Sequence, residues 1–170
     1  LRTAAARGSD FYGPGVLGST LGERVFAPAL AGRPARLVGR LDQPHSYTYI
    51  GDFGAAMATL GERDEALGRH WHVPTAPART QRELVELIGA ELGRPLKVQT
   101  MGRLMMTLGG LFIPAARETV EMLYEFERPF VVDSRRFEQA FGLRPTPLDE
   151  GLRRTVTWYR AQHAPQPAAA

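Results

Sequence analysis

Cysteine is missing from all 170 residues. Disulfides, thiolate nucleophiles and zinc–thiolate sites are therefore excluded. A chain without thiols suits the cytoplasm, which is the expected location. Lysine is nearly missing too: Lys97 is the only one, and the other basic side chains are arginines. These arginines are scattered among 18 acidic residues, with a net charge of +3 and no cluster beyond pairs such as Arg135-Arg136 and Arg153-Arg154. Nucleic-acid binding needs a basic face to displace counterions, so no nucleic-acid partner is expected. No uninterrupted apolar run reaches the ~18 residues of a membrane span, and no membrane partner is expected. The N-terminus shows no apolar signal-peptide core. Low complexity is confined to Ala164-Pro-Gln-Pro-Ala-Ala-Ala170, which has nothing to bury and is expected to be a disordered tail.

What is present is a globular composition, 44% hydrophobic, in a chain long enough for one domain with a real core. The stretch Arg7-Gly-Ser-Asp-Phe-Tyr-Gly-Pro-Gly15 stands out. It reads as a short buried strand, begun in Thr3–Ala6, that ends in polar groups at a hard Gly-Pro-Gly turn. Open α/β sheets present residues to ligands at such strand ends. Because Leu1 is not Met and the opening residues read as the inside of a strand, the sequence is expected to be a piece of a longer protein.

Helical spacing marks 21–30, with Pro28 expected to kink or break it. Ala35–Val38 reads as a strand, and Tyr47–Ile50 as another with Tyr47 and Tyr49 on one face. Asp52 is the expected cap of a helix closed by Gly61. Arg69–Val73 reads as a strand ending at Pro74. Thr80-Gln-Arg-Glu83 is a capping box for a helix ended by Gly93. Leu96–Val98 reads as a strand, and 101–112 and 114–126 as helices. Phe130–Val132 reads as a short strand, followed by a helix capped by Asp133 or Ser134 and ended by Gly142. Pro147 takes the first position of a last helix lined by Leu148, Leu152, Val156 and Tyr159. The whole is mixed α/β with short strands.

Gly13-Pro-Gly-Val-Leu-Gly18 matches G-x-G-x-x-G literally. A dinucleotide fingerprint also needs a helix starting inside the motif and an acidic residue at the end of a second strand. Neither is found, and the stretch reads as a tight turn. His70-Trp-His72 places two imidazoles on one side of a strand without a third ligand, so Trp71 and Val73 read as core and no metal is expected. Ser9, His45 and Asp10 can be assembled into a triad on paper, but no nucleophile elbow accompanies them. The redox pair Tyr-x-x-x-Lys is absent.

Four stretches in order resemble one family. Arg7 to Gly15 is similar to a strand and turn of the NAD-dependent epimerase/dehydratase group of extended short-chain dehydrogenases/reductases. Tyr47-Thr-Tyr-Ile-Gly-Asp52, Trp71-His-Val-Pro74 with Thr80-x-x-Glu83, and Val132-Asp-Ser134 through Phe141-Gly-Leu-Arg-Pro-Thr146 resemble its later strands and helices. The last helix, ending near Trp158-Tyr159, fits as well.

The resemblance covers only the C-terminal half of such enzymes. It implies an α/β fold: the last strands of an NAD(P)-binding Rossmann-like domain and a small, mostly helical substrate-binding lobe over 1–163. It implies NAD or NADP as cofactor, held mostly by residues upstream together with the catalytic Tyr and Lys. It implies a sugar-like or other small carbonyl or hydroxyl substrate, and it allows a homodimer. Ser9 falls where the family meets the nicotinamide end of the cofactor. Asp10 falls at a substrate-contacting position that is often Asn. His45 falls where sugar-nucleotide members place an Arg on the diphosphate, and Arg128 near the second such Arg. Asp133 matches a helix cap. The alternative is a relative that keeps the fold as a binding or regulatory module without the chemistry.

Overall fold

The computed structural model describes residues 2–102 and 122–163. The expected tail and most of the two helices expected over 101–112 and 114–126 lie outside the described residues. Strands β1 (Ala5–Arg7), β2 (Asp10–Tyr12), β3 (Ala35–Val38), β4 (Pro44–His45), β5 (Tyr47–Tyr49), β6 (His70–His72), β7 (Arg79–Thr80) and β8 (Val98–Met101) are all short. They alternate with helices α1 (Glu23–Leu30), α2 (Ile50–Glu62), α3 (Gln81–Leu92), α4 (Tyr124–Glu127), α5 (Arg135–Phe141) and α6 (Leu148–Gln162).

The strands pair in twos. β1 runs parallel to β6, β2 to β5 and β3 to β8, while β4 and β7 pair antiparallel. Parallel partners cannot be joined by a hairpin, so each pair is separated by a crossover containing helix. The mixed α/β expectation is therefore met.

Among the described residues, the two larger of three apolar clusters hold this frame. The larger joins Tyr12, Val25, Phe26, Leu37, Tyr47 and Tyr49 to Leu84 and Ile88 of α3 and to Leu152, Val156 and Tyr159 of α6. The second gathers Ala56 and Leu60 of α2, Trp71 and Val73, and Phe137 of α5. Trp71 is therefore core, as its spacing implied, and its indole N–H donates to the Ala66 carbonyl at 2.9 Å.

Several local expectations hold in detail. The Thr80 hydroxyl accepts from the Glu83 amide at 3.2 Å, and the Glu83 carboxylate accepts from the Thr80 amide at 2.8 Å, which completes the capping box. Gly93 and Gly142 end α3 and α5 in the left-handed conformation. At Gly13-Pro-Gly15 the Val16 amide donates to the Gly13 carbonyl at 3.2 Å, with Gly15 at φ 81°. That is a tight turn, and α1 begins eight residues beyond Gly15, at Glu23, too late for a dinucleotide cradle.

Others are corrected. The opening strand is not buried: β1 is largely exposed, and it is β2 that enters the core, through Tyr12. Asp10 opens β2 rather than closing the strand before it. Pro28 does not break α1, which runs two residues past it to Leu30. A proline costs one ladder bond there, and burial of Val25, Phe26 and Ala29 outweighs it. α2 starts at Ile50 with Tyr49 as its cap, and it runs one residue past Gly61. Asp52 does another job: its carboxylate accepts from the Thr146 amide and hydroxyl, both at 2.7 Å, tying α2 to the approach of α6. The strand at 96–98 sits later, at 98–101, because its register follows β3. Phe130 forms a single bridge to His45 rather than a strand. Pro147 caps α6 from outside its first turn.

One glycine fixes how α6 lies on β2. A Cβ at Gly151 would stand 2.4 Å from the Tyr12 hydroxyl. That hydroxyl is buried without a hydrogen-bond partner among the described residues, and burial together with the nearby Asp52 charge raises its pKa. Gly151→Ala should therefore destabilise the protein by about 1–3 kcal/mol, although alanine is ordinarily the better helix former by about 1 kcal/mol. Tyr12→Phe removes an unsatisfied hydroxyl and should be close to neutral. Combining the two should recover part of the loss in urea denaturation. An additive double variant would show that the hydroxyl is not the obstacle.

Candidate active site

Residues 8–19 form one wall of a cleft of about 500 Å³, lined by Ser9, Asp10, Phe11, Val16, Ser19, Glu125 and Phe130 among others. Its polar end is built by parallel pairing. Asp10 of β2 lies in register with Tyr47 of β5, and His45 of β4 is separated from that strand by Ser46 alone. The His45 Nε2 and Asp10 Oδ2 are 2.7 Å apart. The other ring nitrogen, Nδ1, stands 3.2 Å from the main-chain carbonyl of Glu125. The ring is stacked against Phe126 and Phe130 and tilted against Tyr47, with centroids at 4.7, 5.0 and 4.7 Å. His45 is 1% exposed.

These partners dictate protons. A carbonyl oxygen only accepts, so Nδ1 carries a hydrogen. Either Nε2 carries one too and donates to an ionised Asp10, giving an ion pair, or a protonated Asp10 donates to a neutral ring. In both arrangements the pair is neutral overall. Burial raises the Tyr47 phenol pKa, and the Asp10 charge adds to the rise.

Ser9 sits between the two strands. Its amide donates to the Thr48 hydroxyl at 2.9 Å and its own hydroxyl donates to the Ser46 carbonyl at 2.5 Å. Both donors are thus turned into the fold, and Ser9 lines the cleft by shape alone. The structure brings Ser9, Asp10 and His45 together, yet no triad results: the serine hydroxyl is bonded to a carbonyl, and both histidine nitrogens are taken. Arg128, exposed and just past α4, is not among the residues lining the cleft. Ser134 is the cap residue of α5; Asp133, one position before it, accepts from the Arg135 amide at 3.0 Å, and the Arg135 guanidinium holds its carboxyl pKa down to about 2.

Sequence reasoning missed Ser19. Its hydroxyl is buried without a hydrogen-bond partner among the described residues, and it lines the same cleft. Nothing in a Gly-Ser-Thr loop marks it, since the turn at Gly13 is what folds it back. Glu125 was missed as well, because its carbonyl rather than its side chain meets His45.

A larger groove of about 770 Å³ runs between α3 and the start of α6. Its polar side chains include ones engaged elsewhere: Arg79 is paired with Glu83, and Thr146 is held by Asp52. The smaller cleft is where polar groups converge, and it is the better candidate. Among the described residues no group of three His, Asp or Glu could hold a metal, and no helix is long and apolar enough to cross a membrane.

The fold is that of the C-terminal portion of Rossmann-fold NAD-binding epimerases and dehydratases. The chain is similar to UDP-N-acetylglucosamine 4-epimerase from Methanobrevibacter ruminantium M1, solved with UDP-N-acetylmuramic acid (TM-score 0.70, 18% identity, 95% of this chain and 47% of that one). It is similar to dTDP-glucose 4,6-dehydratase from Bacillus anthracis, solved with NAD (TM-score 0.66, 19% identity, 92% and 44%). The DesIV dTDP-glucose 4,6-dehydratase of Streptomyces venezuelae, solved with NAD as a double mutant, superposes at TM-score 0.68 with 21% identity over 91% and 42%. The chain thus spans less than half the length of these enzymes. No protein-family model and no curated protein matches the sequence.

The hydrogen-bond pattern makes one direct prediction. In spectra of protein labelled with ¹⁵N-histidine, His45 should show a protonated Nδ1 that exchanges slowly with solvent. An unprotonated Nδ1 at neutral pH would contradict the bond to Glu125.

Proposed function

We propose that this chain is the substrate-binding portion of an NAD(P)-dependent epimerase, dehydratase or reductase acting on a small carbonyl or hydroxyl compound. The observation that carries the reading is the Asp10–His45 pair at the polar end of a cleft, in a fold whose solved neighbours include enzymes crystallised with NAD. Asp10 is the side chain that meets substrate, through the part of its carboxylate left open to the cleft, since its side chain is 23% exposed. His45 is a positioning residue: it reaches the cleft only through Asp10 and fixes that carboxylate's rotamer. Arg128 stands outside the lining and serves as an outer contact for the far end of the substrate.

NAD or NADP, when bound, supplies hydride transfer. Ser9 fits the nicotinamide end only as a wall, because both of its donors are spent inside the fold. Nothing here supplies a proton-transferring tyrosine, and the resemblance puts that Tyr and its Lys in an upstream segment. What these residues do is bind and orient: the carboxylate fixes a substrate hydroxyl, and Phe11 and Phe130 exclude water beside it.

Turnover of the full-length protein against sugars, ketones and lactones, followed at the nicotinamide absorbance, tests the reading. His45→Ala should raise KM by about tenfold, since a lost buried partner costs on the order of 1–3 kcal/mol. It should leave NAD(P) affinity unchanged. An unchanged KM, or a parallel loss of cofactor affinity, would remove His45 and Asp10 from the substrate end. The absence of turnover together with the absence of NAD(P) binding would leave the fold without the redox role.

A further inference from the structure

We infer that the cleft selects an uncharged, hydroxyl-bearing molecule and excludes a diphosphate. The inference rests on the reading above that the cleft receives the substrate. It begins with what His45 cannot do. Its position resembles one where a cation reaches a diphosphate, but here the ring is 1% exposed, covered by Phe126, Phe130 and Tyr47, and both nitrogens are already bonded. No N–H of this side chain is left for a ligand.

Asp10 sets the sign of what remains. Oδ2 is engaged by His45, and Oδ1 has no hydrogen-bond partner among the described residues. In the ion-paired arrangement Oδ1 is a carboxylate oxygen. In the neutral arrangement the proton lies between Oδ2 and Nε2, and Oδ1 is a carbonyl oxygen. Either way it offers only lone pairs. A phosphate oxygen also offers only lone pairs, so the two repel, whereas a ligand hydroxyl can donate.

The second polar group is the Ser19 hydroxyl, buried at the same cleft and unpartnered among the described residues. A hydroxyl can donate or accept, and burying one without a partner costs on the order of 1–3 kcal/mol. A ligand hydroxyl or carbonyl that reaches it would relieve that cost. Glu125 also belongs to the lining, its carboxylate accepting from the Tyr124 hydroxyl at 3.3 Å, and no Lys or Arg lines the cleft among the described residues. Phe11 and Phe130 provide apolar surface for the C–H face of such a molecule. A volume of about 500 Å³ lies within the range of small-molecule sites.

The test uses the full-length protein with NAD bound. Amide resonances of Asp10, Gly18 and Ser19 are followed during titration with D-galactose, D-xylose and D-gluconolactone, and separately with UDP at the same concentrations. At least one neutral compound should move the Gly18 and Ser19 amides, and UDP should leave them in place. Asp10→Leu should weaken the neutral compound at least tenfold. Asp10→Asn should stay within about threefold, because its amide can donate to Nε2 while its oxygen still accepts. Movement of these amides by UDP would overturn the inference and leave the cleft as a substrate site. Silence from every compound would overturn both the inference and the reading beneath it. Full binding by Asp10→Leu would remove Asp10 as the determinant.

Discussion

The buried imidazole of His45 is the constraint around which the candidate site is assembled. A histidine that is almost fully enclosed needs a partner for each nitrogen, because an unsatisfied polar group in a low-dielectric interior is costly. One partner comes from β2 and the other from the main chain of α4, segments 35 and 80 residues away. Rings from Tyr47, Phe126 and Phe130 close over it. Satisfying one side chain therefore brings together a strand start, a strand approach and a short helix. The cleft is the space left in front of that junction.

This arrangement assigns different work to two residues that are equally polar on paper. Asp10 stays partly open and keeps one oxygen unspent. His45 is closed and spends everything. Serine 9 resembles the histidine in this respect, its two donors consumed by Thr48 and Ser46. The face offered to a ligand is thus more selective than the list of polar residues around it suggests, and it is dominated by acceptors.

Much of the frame was legible in the chain because local chemistry decides it. The Thr80–Glu83 capping box, the left-handed glycines at 93 and 142, and the apolar line of α6 depend on neighbours within a turn or two. Asp10 and His45 could be singled out by where they fall in a resemblance to a known family. What stayed hidden was long-range. Asp52 has the look of a helix cap, and only the arrival of Thr146 from 94 residues away makes it a clasp. Ser19 carries no pattern at all, since its burial depends on a turn and on walls from elsewhere. That His45 is enclosed rather than offered to a ligand depends on Phe126 and Phe130, which sequence spacing cannot bring to it.

The last helix has a consequence for how the molecule comes into being. The Tyr159 hydroxyl donates to the carbonyl of Val16 at 2.7 Å, across 143 residues, and Val16 lines the cleft. The same tyrosine stacks on Phe26 with ring centroids 5.0 Å apart. Contacts of such sequence separation form late, because the loop they close is long. During synthesis the wall carrying Val16 emerges 143 residues ahead of the tyrosine that anchors it. A nascent protein has its site residues long before it has its site, and a chain cut short within α6 keeps Asp10 and His45 while losing the tyrosine that fastens the wall beside them.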